Sequence, residues 1–119
     1  DLPPEQDEEL LEVTLYDLIS AFKGILRYFT DDILHTIEGE GASVDEKVDY
    51  IESRLAREGS VSWSDLFKEC RSRVELVCCF LAILELCRMG RLRAHQHRAF
   101  EEIRLFPAEP RAVAEEAPA

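Results

Sequence analysis

Residues 72–90 read SRVELVCCFLAILELCRMG and contain the longest apolar segment of the chain. Ser72 and Glu75 have the spacing of a capping box, and glycine, here Gly90, is the residue type that most often follows the end of a helix. The sequence therefore predicts one helix between these residues. Apolar side chains surround almost its whole circumference, so we expect this helix to be buried on most sides.

The residues before this helix predict two further helices. Ser43 and Glu46 form another capping box, which opens a helix that Gly59 ends. A short β-prone segment follows, and Ser62 then caps a short helix that ends near Cys70.

The residues after the long helix predict a β-hairpin. Residues 91–95 and 102–106 alternate between apolar and polar side chains, and residues 96–101 are expected to form the turn. From Ser43 onward the order is thus helix, short strand, helix, helix, strand, strand. This is the element order of a winged helix.

An amphipathic helix is predicted upstream of the winged helix. Thr14 and Asp17 suit its first turn, and the helix runs to about Tyr28. A linker follows over residues 30–42, with at most a short strand at 34–37. The apolar stripe consists of Leu15, Leu18, Ile19, Phe22, Ile25, Leu26 and Phe29.

The predicted fold is mainly α, with an N-terminal amphipathic helix followed by a winged-helix domain that has a small β-wing. Residues 1–42 form an acidic lead-in, the helix and the linker, and residues 43–106 form the domain. Residues 107–119 are rich in alanine, glutamate and proline and are expected to be a disordered tail. Because the chain opens at Asp1 rather than methionine, we expect it to be a fragment.

Charge is distributed unevenly along the 119 residues, whose net charge is −11. Residues 1–42 hold 11 acids and 2 bases, whereas residues 43–106 hold 11 of each. A neutral domain with acidic flanks does not favour a polyphosphate partner. No apolar run has the length of a membrane span, and no secretory signal is evident, so we expect a cytoplasmic protein.

The motifs of the common catalytic sites are absent from the sequence. It contains no GxxxxGK[ST], GxSxG or HExxH pattern, so we predict a protein that is not an enzyme and needs no cofactor. His95 and His97 lack a third metal ligand and are expected to face solvent on the wing. The four cysteines form no CxxC pair, and we interpret them as small buried apolar residues. They are Cys70, Cys78, Cys79 and Cys87.

A winged helix raises the alternative of a DNA-binding regulator, because such domains can insert a helix into the major groove. The long helix offers valine, leucine, isoleucine, phenylalanine and cysteine where base recognition needs arginine, lysine, asparagine or glutamine. Only the wing arginines favour DNA, namely Arg91, Arg93, Arg98 and Arg104. Because the long helix lacks base-recognising side chains and the domain is neutral, we expect no direct binding of nucleic acid.

A series of short motifs follows in a fixed order along the chain. The motifs are TLYDL at residues 14–18, SVDEK at 43–47, DLF at 65–67, RVELV at 73–77, FLAILEL at 80–86 and GRL at 90–92. This ordered set resembles the C-terminal half of the ScpA family, the bacterial kleisins. The resemblance covers residues 14–106, and the cysteines of the long helix replace residues that are expected to be aliphatic or small.

This resemblance implies a non-catalytic subunit of a condensin-like complex that acts in chromosome condensation and segregation. Its C-terminal winged helix would bind the ATPase head of an SMC protein, and the end of its middle region would bind a ScpB dimer. The protein would be associated with the nucleoid through that complex. A DNA-binding regulator and a generic helical assembly subunit remain as alternatives.

Surplus apolar surface on the wing and on the long helix predicts that the SMC head binds the wing and the adjoining part of that helix. An open strand edge of the wing is expected to accept a strand from the head. The predicted head-binding residues are Arg91, Leu92, Phe100, Ile103, Arg104, Leu105 and Phe106. The helical stripe predicts ScpB binding, unless this helix folds back onto the winged helix. The predicted ScpB-binding residues are Leu15, Leu18, Ile19, Phe22, Ile25 and Leu26.

Overall fold

The computed structural model describes residues 11–28, 43–98 and 101–108, which form four helices and four short strands. This confirms the predicted mainly α fold with a small β-wing. In chain order the elements are β1 (Leu11–Glu12), α1 (Leu15–Tyr28), α2 (Val44–Glu58), β2 (Val61–Ser62), α3 (Trp63–Lys68), α4 (Arg73–Arg88), β3 (Leu92–Gln96) and β4 (Arg104–Pro107). Among these residues, no helix combines the length and the apolar character that crossing a bilayer requires.

Each helix begins at a side-chain cap that the sequence predicts. A Ser or Thr hydroxyl accepts a hydrogen bond from the backbone N–H three residues on, at 3.1–3.2 Å. This satisfies one of the amides left free at a helix start. The pairs are Thr14 with Asp17, Ser43 with Glu46, Ser62 with Asp65, and Ser72 with Glu75.

Two helices end at glycines whose backbone lies in the left-handed region. Gly59 has φ 84° after α2, and Gly90 has φ 75° after α4. A side chain with a Cβ atom is strained in this conformation, whereas glycine adopts it freely. Both turns redirect the chain into a strand of the sheet.

The four strands form one antiparallel sheet in the order β1-β3-β4-β2. β3 and β4 are the wing, and their register places Arg93 opposite Phe106 and His95 opposite Arg104. β1 pairs with β3, and the Val13 N–H continues the ladder by donating to the Ala94 carbonyl at 3.0 Å. The wing edge that was expected to be open is partly covered, because β1 pairs with Gln96 and His95 of β3, and β2 pairs with Leu105 and Arg104 of β4.

The core lies between α4, α2 and the inner face of the sheet. Six apolar side chains of α4 are buried, and α2 contributes Ile51 and Leu55. Val61, Leu92 and Leu105 close the core from the sheet. The buried apolar residues of α4 are Leu76, Cys79, Phe80, Ala82, Ile83 and Leu86.

The stripe of α1 packs on this core. Leu18 and Phe22 are 3% and 7% exposed, and the centroid of the Phe22 ring lies 5.6 Å from that of the Phe67 ring. Residues 11–28 thus form one packed body with the winged helix, which is the alternative that the sequence left open. The division at residue 42 stays a prediction, since the linker lies outside the described residues.

Other predictions also fall outside the described residues. They are the acidic lead-in before Leu11, the short strand at 34–37, the site residue Phe100, and the disordered tail from residue 109 onward.

Candidate protein-interaction surfaces

The outer face of the sheet carries four side chains from β3 and β4. Arg93 and His95 lie two residues apart in β3, so they share a face with their partners Phe106 and Arg104. The His95 and Phe106 rings meet edge to face, with centroids 5.6 Å apart. Two cations thus flank a half-buried aromatic pair on the side of the sheet that faces away from the core.

Three of the predicted head-binding residues are not on this face. Leu92, Ile103 and Leu105 are buried in the core and offer almost no surface for a partner to bind. The physical reason is the two-residue period of a strand, which turns Leu105 inward when Phe106 points outward. This part of the predicted set is corrected.

The other three described residues of the predicted set reach the surface, whereas Phe100 lies outside the described residues. Arg91 is exposed, and its Nη1 donates to Glu52 Oε2 at 3.0 Å. Arg104 is exposed and donates from Nη2 to Ser60 Oγ at 2.8 Å. Phe106 is half-buried. The surface candidates for the head are therefore Phe106 and the two arginines.

His95 and His97, which the sequence places on the wing, differ in their exposure. The His95 side chain is half-buried, and its Nδ1 is buried without a hydrogen-bond partner among the described residues. The expectation that His95 faces solvent is only partly correct, whereas His97 is exposed. Within the described ranges, no group of three or more histidine, cysteine or acidic side chains is arranged to hold a metal ion.

The helix α1 divides the predicted ScpB-binding residues into two groups. Leu18 and Phe22 belong to the core, and Ile25 and Leu26 are partly buried against it. Leu15 and Ile19 are 58% and 37% exposed. Only these last two offer substantial apolar surface to another protein.

A third apolar surface lies on α4. Val74, Val77 and Leu81 are exposed, and their spacing of three and four residues places them on one side of the helix. Because residues 72–89 are apolar on almost every side of the helix, the sequence predicts that some apolar side chains stay exposed after the core has formed. The sequence analysis did not identify these three residues as exposed. Their positions around the helix, on the side away from Leu76 and Ile83, would have distinguished them from the buried residues.

Two ion pairs join α2 to α4 and to the residue that follows α3. Lys47 Nζ of α2 lies 2.8 Å from Glu75 Oε2 of α4, and Arg54 Nη1 lies 2.6 Å from Glu69 Oε2 beyond α3. Partial burial raises the pKa of Glu75, but hydrogen bonds from Lys47 and from the Arg71 N–H outweigh it, so this pKa is lowered overall. The pKa of Lys47 is raised, because its contact with Glu75 outweighs the desolvation that lowers it.

The four cysteines are free thiols. Cys70 and Cys79 are buried, and a hydrogen bond between them lowers the pKa of Cys70 and, together with burial, raises that of Cys79. Cys78 and Cys87 are half-buried, and desolvation raises the pKa of each. The prediction that the cysteines are small buried apolar residues is thus confirmed for Cys70 and Cys79 and only partly correct for Cys78 and Cys87.

Comparison with known proteins gives matches over most of the chain. The family described as "Segregation and condensation protein ScpA" matches residues 5–106. The proteins named segregation and condensation protein A from Brevibacillus brevis and Clostridium tetani are each 30% identical, over 100 and 108 residues that make up 83% and 85% of this chain. That from Enterococcus faecalis is 30% identical over 112 residues, or 91% of the chain.

These matches cover 39%, 42% and 40% of the three relatives, so the chain spans about two fifths of their length. No solved structure gives a significant match.

Proposed function

Because this chain belongs to the segregation and condensation protein A family, we propose that it is the part of a kleisin subunit that binds the ATPase head of an SMC protein and contacts ScpB. In this proposal the chain has no catalytic activity of its own. It acts in chromosome condensation and segregation in the cytoplasm, where the SMC complex associates it with the nucleoid.

The outer face of the wing is the proposed contact for the SMC head. The observation that carries this assignment is the half-buried Phe106, which lies outside the core between cationic side chains. An aromatic side chain with arginines at its rim is a common anchor of protein interfaces. Arg91 and Arg104 supply the polar rim, while Leu92, Ile103 and Leu105 support the wing from inside.

The exposed part of α1 is the proposed contact for ScpB. Leu15 and Ile19 lie four residues apart on the helix, so their side chains are neighbours on its surface. A pair of this kind can enter an apolar groove without disturbing Leu18 and Phe22, which hold the helix on the core.

Co-purification with an SMC head and with ScpB tests both contacts. Phe106→Asp is expected to weaken head binding by about 2 kcal/mol or more if Phe106 is a central anchor. Leu15→Asp with Ile19→Asp is expected to abolish ScpB capture and leave head binding unchanged. Thermal melting of each variant verifies that it remains folded.

Val74→Asp on the exposed side of α4 is the matched control. It introduces the same charge at a solvent-facing apolar site and is expected to leave head binding intact. If Val74→Asp abolishes head binding while Phe106→Asp does not, the head binds α4 and the wing assignment is wrong. Failure of the unmodified chain to capture any SMC head would overturn the proposed function itself.

A further inference from the structure

A groove of about 850 Å³ separates α1 from the β3–β4 hairpin. Its apolar lining comes from Ala21 of α1, Trp63 at the start of α3, and Ile103. Tyr16 stands on the α1 side and is 74% exposed. The volume lies in the range of sites that enclose a small ligand or a few side chains of a peptide.

Every charged side chain that lines this groove is a carboxylate, namely Glu12, Asp17, Glu101 and Glu102. The described residues as a whole carry 13 acidic and 13 basic side chains, so the groove does not merely reflect an acidic surface. A cleft that is lined by side chains of one charge, here negative, concentrates the electrostatic potential and attracts groups of the opposite charge.

Two of the four carboxylates are already engaged. Asp17 Oδ2 accepts from the Thr14 N–H at 3.1 Å, and Glu102 accepts from the hydroxyl groups of Ser62 and Ser64 and from the Ser64 N–H. Glu12 and Glu101 have no ion-pair partner within the part of the chain that the structure describes. These two are therefore available to a ligand.

We infer that this groove docks a segment of a partner protein in which lysine or arginine side chains alternate with apolar ones. The apolar side chains would pack against Ala21 and the Tyr16 ring, and the cations would meet Glu12 of β1 and Glu101 ahead of β4. The exposed Tyr16 ring offers a further surface for a cation. Because 13 of the 14 basic residues of the chain lie in the described part, its remaining segments supply only Arg111 and do not fit as the occupant.

None of the residues proposed to contact the SMC head or ScpB lines this groove, so the inference does not depend on those contacts. Trp63 is the single tryptophan of the chain and lies at the groove, which gives a direct signal. The test titrates the 119-residue chain with a short synthetic peptide of alternating lysine and leucine at about 50 mM salt. We expect a saturable change in Trp63 emission.

The variant Glu12→Gln with Glu101→Gln is expected to weaken peptide binding by about fivefold, since each exposed ion pair contributes a fraction of a kcal/mol. The matched control, Asp45→Asn with Asp49→Asn, removes two exposed carboxylates of α2 that do not line the groove. It is expected to change the affinity by less than about twofold. Melting curves verify that both variants are folded.

Three results would overturn the inference. The first is equal loss of affinity in the two double variants, which would show general charge attraction. The second is peptide binding, measured by anisotropy of a labelled peptide, that leaves Trp63 emission unchanged. The third is the absence of any binding at about 50 mM salt, where screening of exposed charges is weak.

Discussion

The ring of Phe22 in α1 lies parallel to the ring of Phe80 in α4, with an interplanar angle of 1° and centroids 4.2 Å apart. The Phe80 ring in turn meets Trp63 edge to face at 6.3 Å. An aromatic cluster thus connects the upstream helix to the centre of the winged helix, and such pairs stabilise a core beyond the area that they bury. The upstream helix is a layer of the fold rather than a free arm.

Phe22→Ala is therefore expected to destabilise the whole chain by about 3 kcal/mol, because it leaves a cavity against Phe67 and Phe80. Urea denaturation followed by circular dichroism measures the free energy of unfolding. Tyr16→Ala, at an exposed position of the same helix, is the control and is expected to stay within about 0.5 kcal/mol of the unmodified chain. If both variants unfold at the same urea concentration as the unmodified chain, α1 is not part of the core.

Glu75→Gln is expected to lower the free energy of unfolding near pH 7 by about 1 kcal/mol, because it weakens a partly exposed ion pair with Lys47. The folded pKa of Glu75 is lowered, so its contribution is complete above the unfolded pKa of about 4.5 and is lost as pH falls through the folded value. The raised pKa of Lys47 retains the pair until pH rises past about 10.5.

The difference between Glu75→Gln and the unmodified chain should thus be constant from about pH 6 to pH 9 and should shrink toward pH 3. Denaturation at several pH values measures it. Glu46→Gln is the control, because the Glu46 side chain is exposed and its cap uses the backbone N–H. If the difference in the free energy of unfolding between Glu75→Gln and the unmodified chain increases as pH falls, the assigned Lys47–Glu75 ion pair is wrong.

The thiols are expected to react with a disulfide reagent in two groups at pH 7. Cys78 and Cys87 are half-buried and should react slowly, since desolvation raises the pKa of each. Cys70 and Cys79 should react only when the chain opens, because both are buried. Mass spectrometry of partly labelled protein identifies the order. Labelling of Cys70 before Cys78 would show that the α3–α4 junction opens locally.

Binding of duplex DNA is expected to be absent at about 150 mM salt. The outward side of α4 presents Val74, Val77 and Leu81, which make no base-specific hydrogen bonds. Electrophoretic mobility shift with the 119-residue chain measures this directly. Submicromolar binding at that salt concentration would contradict the prediction, since it lies in the range of specific association.

The sequence predicted the helices well because their signals are local. The capping pair Ser72 and Glu75 and the terminal Gly90 each depend on neighbours within one turn, and the structure confirms both ends of α4. β1 was not predicted, because the two residues Leu11 and Glu12 are too few to show a period. Its pairing with β3 depends on residues more than eighty positions away.

The candidate surfaces were predicted less completely, for a different reason. The stripe with Leu18 and Phe22 shows that one side of α1 is covered, but a stripe carries no information on whether the cover is the same chain or another. On the wing, the adjacent residues Leu105 and Phe106 were both predicted as contacts, although a strand directs them to opposite faces. The period-two rule was available from the sequence and would have separated them.

The two-residue β1 also determines how the domain responds to mechanical force. It is an edge strand, so tension applied to the chain before Leu11 acts first on its few hydrogen bonds to β3. We expect these bonds to open before the Phe22–Phe80 stack is loaded, because they are the described contacts nearest to the pulled end. A pulled chain would therefore lengthen in steps, releasing its upstream residues while the wing and the central helix keep their shape.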